Sequence, residues 1–245
     1  MLLRKILLIS LILISCANAD TIYNIIKIPH LEIYKSKTSN KINYLQSTKP
    51  FQVGIMKNNI TCFQTKIDLY KEKFKIIERS FNKYPKNFLK KINLKYVVIC
   101  EDLSVSQINA AGFADQKMKT IIFYIKTDTS LLERIVHHEV FHIINDAYKS
   151  NFIESKWKKF NKMKFQYQKC STCSNLFGLS LLKKNEGFFS EYSMSTASED
   201  MAEVFSFLMT DKNIIEKKIN KDLILKKKVF FIKENILKID DKFKF

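Results

Sequence analysis

Apolar residues recur at helical spacing over residues 64–83, where Ile67, Tyr70, Phe74, Ile77 and Phe81 fall on one face. That pattern predicts a helix with one buried side, ended by Tyr84-Pro85. Residues 94–100 (Leu-Lys-Tyr-Val-Val-Ile-Cys) are β-branched and aromatic and read as a buried strand. A small-residue stretch, Ala110-Ala111-Gly112-Phe113-Ala114, reads as a turn leading to a second strand over 120–125. Residues 130–148 then carry Leu131, Leu132, Ile135, Val136, Val140, Ile143 and Ile144, too wide an apolar surface for a surface helix. Ser130 with Glu133 three residues later predicts a capping box at the start of this central helix.

Further along, 151–186 is a long lysine-rich connection containing Trp157 and Cys170-x-x-Cys173, of a length that marks a functional loop or small subdomain. Residues 198–209 form another apolar-faced helix, and 213–238 a lysine-rich amphipathic helix or helix pair on the outside. Residues 20–60 show weak periodicity, with Lys49-Pro50 as a break, and predict a strand or two and loops.

The chain begins differently. After Arg4 and Lys5 comes a mostly apolar run over 6–14, too short to span a bilayer, so 1–19 reads as an export signal. Leu13-Ile14-Ser15-Cys16 looks like a lipobox that would lipidate Cys16, a reading slightly preferred here. Ala17-Asn18-Ala19 offers ordinary cleavage after Ala19. Both place the folded part outside the cytoplasm of a bacterial cell, as an envelope lipoprotein or a periplasmic or secreted protein. The resulting division is 1–19 signal peptide, 20–60 N-terminal extension and 61–245 main domain.

With 245 residues and 46% hydrophobic content, the chain can bury one sizeable core. The formal charge of +18 invites nucleic acid as a partner. Only Arg4, Arg79 and Arg134 are arginines, however, and lysine reads bases and phosphates poorly. The lysines are spread along the chain, so they read as solvated faces, and no nucleic-acid partner is expected. A weaker reading is adhesion to an anionic surface or attraction of an acidic substrate. Besides Cys16, four cysteines remain, and an even number in an exported chain predicts disulfides. The pairing taken is Cys62–Cys100 with Cys170–Cys173; a zinc site of four thiolates is the rival.

The chemistry centres on His138-Glu139-Val140-Phe141-His142. Residues i and i+4 share a helix face, so both imidazoles can address one ion, while Glu139, about 100° round, can reach a water there. This is zinc-hydrolase spacing, and it needs a third protein ligand. His30 lies in a weakly patterned stretch, and His137 points away and suits a structural role. Glu199 and Glu203, four apart on the next helix, are better placed: one carboxylate for the metal and a second behind it. A solvated acidic helix start is the plain alternative.

His138-Glu139-x-x-His142 followed by Ser190-Glu191-Tyr192, then Ser195-Thr196 and Glu199-Asp200-Met201-Ala202-Glu203-Val204-Phe205, resembles the gluzincin zinc metallopeptidases. The likeness is to the anthrax-lethal-factor-like catalytic domain and related bacterial zinc-binding metallopeptidases. Tyr192 stands seven residues before Glu199, as in that family, whereas Ser195 occupies the family's threonine position and Thr196 follows. The resemblance implies an α+β, zincin-like fold, with a small mixed sheet whose edge strand lies at the cleft and a central helix bearing the two histidines, and one catalytic Zn2+ held by His138, His142 and Glu199. It implies Glu139 as general base, Tyr192 as hydroxyl donor to the oxyanion and Glu203 behind a ligand. The expected activity is that of a zinc metalloendopeptidase acting on a peptide or protein. Residues 120–125 would be the edge strand on which substrate adds, or else an ordinary core strand. A non-catalytic zinc-binding surface lipoprotein or adhesion protein is the alternative.

Overall fold

A computed structural model describes residues 31–34, 40–53, 59–173, 176–184 and 186–245. The expected signal segment, Cys16 and His30 lie outside the described residues. In chain order the first elements are β1 (Leu31–Tyr34), β2 (Asn43–Ser47), β3 (Phe51–Val53), β4 (Ile60–Cys62), α1 (Ile67–Phe81) and α2 (Lys86–Lys91). Then come β5 (Tyr96–Cys100), β6 (Leu103–Val105), β7 (Ile108–Asn109), β8 (Gly112–Asp115), β9 (Thr120–Tyr124) and α3 (Thr129–Ala147). The last part holds α4 (Glu154–Lys158), α5 (Ala197–Thr210), α6 (Lys212–Ile219) and α7 (Leu223–Ile239). The fold is α+β.

A five-stranded mixed sheet has the order β1-β2-β5-β9-β8, with β2, β5 and β9 parallel and both edges antiparallel. A four-stranded antiparallel sheet, β3-β4-β6-β7, lies over one of its faces. Side chains alternate along each strand, and the period of two sorts them between two cores. Tyr44, Val97, Ile99, Ile121 and Phe123 face the main core, built with α1, α2, α3, α5 and α7. Leu45, Val98, Cys100 and Ile122 face the second core between the sheets. There the buried Cys62–Cys100 disulfide ties β4 to β5. Closing its 38-residue separation stabilises the fold by about 2–4 kcal/mol. Cys170–Cys173 forms the second disulfide, so both expected pairings are present.

Three expectations change. Residues 120–124 are not an edge: β9 lies between β5 and β8, and its side chains from Thr120 to Phe123 are buried. Strands covered on both faces read as continuous apolar runs, which is why this one is interior. The edge is β8, formed by the small-residue stretch expected to be a turn. The central helix also starts earlier than expected. Asp128, not Ser130, caps it, accepting from Leu131 N at 2.8 Å, while Ser130 Oγ donates to Asp128 at 2.7 Å. Glu133 turns instead to Lys83 at 2.8 Å and Arg79 at 3.6 Å. Within 20–60, the described residues supply β1, β2 and β3, and so are built into both sheets.

Candidate active site

Helices α3 and α5 pack side by side, with Phe141 and Phe205 in ring contact at 5.4 Å. This brings the two motif blocks together. On α3, His138 and His142 project from one face one turn apart, as i and i+4 positions must. Thr196 caps α5 by accepting from Glu199 N at 3.2 Å, so Glu199 lies in the first turn, where the helix dipole favours a carboxylate.

Three ligand-type atoms converge. Glu199 Oε2 lies 2.9 Å from His138 Nε2 and 3.2 Å from His142 Nε2, and the two nitrogens are 3.1 Å apart. His138 Nδ1 faces Glu203 Oε1 at 3.0 Å and donates there, which leaves the Nε2 lone pair of the neutral ring pointing at the cluster. Three electron-rich atoms around one point need a cation between them. The edge of a tetrahedron with zinc-ligand bonds of about 2.0–2.1 Å is about 3.3–3.4 Å, close to the observed spacings. Two imidazoles and one carboxylate are also a donor set of catalytic rather than structural zinc. His138, His142 and Glu199 therefore fit a zinc ion.

The surroundings fix these ligands. Burial opposes a charge on His138, but without a cation at Nε2 its bonds to Glu199 and Glu203 outweigh that and raise its pKa to about 10; a metal ion would take the place of that proton. Burial likewise opposes ionisation of Glu199, and the imidazoles of His142 and His138 overcome it, holding the carboxyl well below the usual range. Glu203 is held from three sides: His138, Ser190 Oγ at 2.5 Å and the Arg134 guanidinium at 3.6 Å. Arg134 is itself anchored to Leu179 O at 2.6 Å and lies over the Phe207 ring. Ser198 Oγ stands 3.4 Å from the other nitrogen of His142. Sequence reasoning missed Arg134, Ser190 and Ser198. Arg134 had a signal, since it precedes His138 by four residues on the same helix face.

Tyr192 sits in a single 3-10 turn, Tyr192–Met194, before α5. The long connection folds back to hold it: Tyr192 N donates to Gly178 O at 3.0 Å, and Gln168 N to Ser195 O at 2.8 Å. Its ring is 5.8 Å from that of His138. Burial, then the Glu199 and Glu139 carboxylates, push the phenol well above its usual range, so it stays a donor. Glu139 lines the same cleft, of about 580 Å³, with its carboxyl raised by burial against the pull of His142 and His138. His137 points elsewhere: its Nδ1 lies 2.6 Å from Tyr84 OH in the core, and burial keeps the ring neutral.

The cleft wall opposite α3 is the edge strand β8. A Cβ at Gly112 would stand 2.6 Å from both Cγ and Oε1 of Glu139. Glycine is required there for close approach, not for an unusual turn. Gly112→Ala is expected to displace the Glu139 carboxylate and cost about a hundredfold in kcat, with zinc content unchanged. Steady-state kinetics beside metal analysis checks this; full activity in the variant would show that the contact is slack.

A search of curated proteins finds no match to the chain. A solved structure described as a putative zinc-binding metallo-peptidase from Bacteroides caccae is similar, with 16% identity and a TM-score of 0.47. The similarity covers 79% of this chain and 76% of that one. The family described as "Putative zinc-binding metallo-peptidase" matches residues 69–238, a span running from α1 through α7 and including both motif blocks. The chain belongs to this family of zinc-binding metallopeptidases.

Proposed function

We propose that the chain is an exported zinc metalloendopeptidase carrying one catalytic ion, with Glu139 as its general base. The observation that carries this reading is the convergence of His138, His142 and Glu199 in a cleft that Glu139 and Tyr192 also face. When bound, zinc supplies a Lewis acid for the substrate carbonyl and acidifies water. Glu139 takes a proton from water at its carboxylate and delivers it to the leaving amine. Tyr192 donates its hydroxyl to the oxygen on which charge develops. Glu203 accepts from His138 Nδ1, which fixes the tautomer and turns Nε2 toward the metal position. An extended peptide or protein segment adds along β8, whose outer edge has no strand paired to it among the described residues. Two disulfides agree with an oxidising compartment, and so with export through the 1–19 segment. Lipid at Cys16, or cleavage after Ala19, then decides between an envelope-anchored and a soluble form.

Chelation tests the reading. Zinc-loaded protein is expected to cut peptides blocked at both ends, to lose turnover on metal removal, and to regain it with one equivalent of zinc. Undiminished cleavage by metal-free protein would refute it. Zinc binding with no cleavage across a diverse peptide library would select the non-catalytic surface protein instead.

A further inference from the structure

Helix α7 has two opposite faces, and only one has a partner among the described residues. Leu225, Val229, Ile232 and Ile236 are buried against the core. On the far side Leu223, Phe230 and Leu237 are 72%, 57% and 41% exposed. Their spacing is seven residues, which on an α-helix drifts by only about 20° per step, so the three form one row. With a rise of about 1.5 Å per residue the row is about 21 Å long. Lysines border it on both sides. Helical geometry puts Lys226 and Lys233 on one flank and Lys227 and Lys238 on the other. Glu234 is the acidic side chain within the row, and Lys238 Nζ lies 2.7 Å from it.

Scattered exposed apolar residues need no explanation, but a row with cationic borders does. We infer that the outer face of α7 docks on an anionic lipid surface, with Leu223, Phe230 and Leu237 entering the headgroup boundary and the flanking lysines meeting the phosphates. The charge pattern decides the occupant. A second copy of the same face would set lysine against lysine, and like-charge contact works against association. An anionic membrane instead takes both features at once: apolar side chains enter the interface, and lysine stems reach along it to place their ammonium groups at the headgroups. The chain's +18 charge acts in the same direction over longer range. No helix of the described residues is long and apolar enough to cross a membrane, and the docking inferred for α7 is along the membrane surface. The cleft is lined from β6 to β8, α3, Ser171, Thr172, Phe177, Leu179, Tyr192 and α5, with nothing from α7 among the lining residues. Docking therefore leaves the cleft free, and the inference stands apart from the peptidase reading.

The test uses the chain from Asp20, which contains every described element and lacks the apolar N-terminal run that would itself bind lipid. It is sedimented with vesicles of phosphatidylglycerol and phosphatidylcholine, or of phosphatidylcholine alone. Binding to the anionic vesicles only, weakened by salt, is expected. Leu223→Ser/Phe230→Ser/Leu237→Ser should weaken partitioning at least about tenfold. Lys226→Gln and Lys227→Gln should each weaken it about fivefold. Circular dichroism and cleavage of a soluble peptide should not change. A Phe230→Trp probe should shift its emission to the blue on anionic vesicles. Equal binding to neutral vesicles, unchanged binding in the triple variant, or unmoved emission at position 230 would overturn the inference. So would a dimer that the triple serine variant dissociates, since the face would then belong to a second copy.

Discussion

Glu139→Gln is expected to bind zinc as the wild type does and to lose peptide hydrolysis by about 10²–10⁴-fold in kcat. Glutamine has the size of glutamate, so it keeps the contact with Gly112 that a larger or shifted side chain would disturb. The three converging atoms belong to His138, His142 and Glu199, and removing the Glu139 charge leaves them in place. What disappears is the group that can accept a proton in the cleft. Burial keeps the Glu139 carboxyl above its ordinary range and so nearer the pH at which it must both take and give a proton. Metal analysis and turnover on a single peptide, measured on the same preparation, give the answer. Unchanged turnover would remove Glu139 from the mechanism. Loss of zinc together with activity would show that the residue shapes the metal site instead.

The second large effect is on stability. Lys228 is fully buried, with Nζ 2.6 Å from Asp200 Oδ2, 2.6 Å from Gly187 O and 3.9 Å from the Phe188 ring centroid. Trp157 Nε1 and Tyr167 OH donate to the same carboxylate oxygen at 2.8 and 2.5 Å. Burial drives both charges toward neutrality, raising Asp200 and lowering Lys228, and each charge counters that for the other. Lys228→Met would leave Asp200 buried without its cation, and is expected to cost about 3–5 kcal/mol of unfolding free energy. Urea denaturation reads this directly. Lys228→Met with Asp200→Asn should recover part of the loss, because no uncompensated charge remains. A single-variant loss below about 1 kcal/mol would place the pair among interactions of surface strength. Because Asp200 follows Glu199, the single variant should also bind zinc more weakly.

Periodicity made the helices legible. The apolar stripe of α1, the wide apolar surface of α3 and the i, i+4 pair of histidines all follow from 3.6 residues per turn, and the structure has each of them. The edge strand was harder. Gly112, Phe113 and Ala114 offer one large side chain among small ones, and their extended form is imposed by pairing with β9. Small residues are there because α3 comes so close, a tertiary fact that no local pattern encodes. Lys228 was hidden for another reason. In a segment where lysines normally mark solvated faces, nothing local separates the one that turns inward. The positions of Ser190 and Ser198 likewise depend on how the long connection returns to α3. Glu199 and Glu203 were found from their i, i+4 spacing on a predicted helix, whereas Tyr192 was found through its resemblance to a family pattern.

If a peptide adds along β8 as proposed, the close approach of Gly112 to Glu139 would couple substrate register to proton transfer. With no Cβ at position 112, the strand and the carboxylate lie close against one another. A peptide paired there would be set against the proposed base by the same backbone that holds it. A bound chain that slipped by one residue would carry its carbonyl away from Glu139. Fidelity of the cut site would in this sense depend on one missing methyl group.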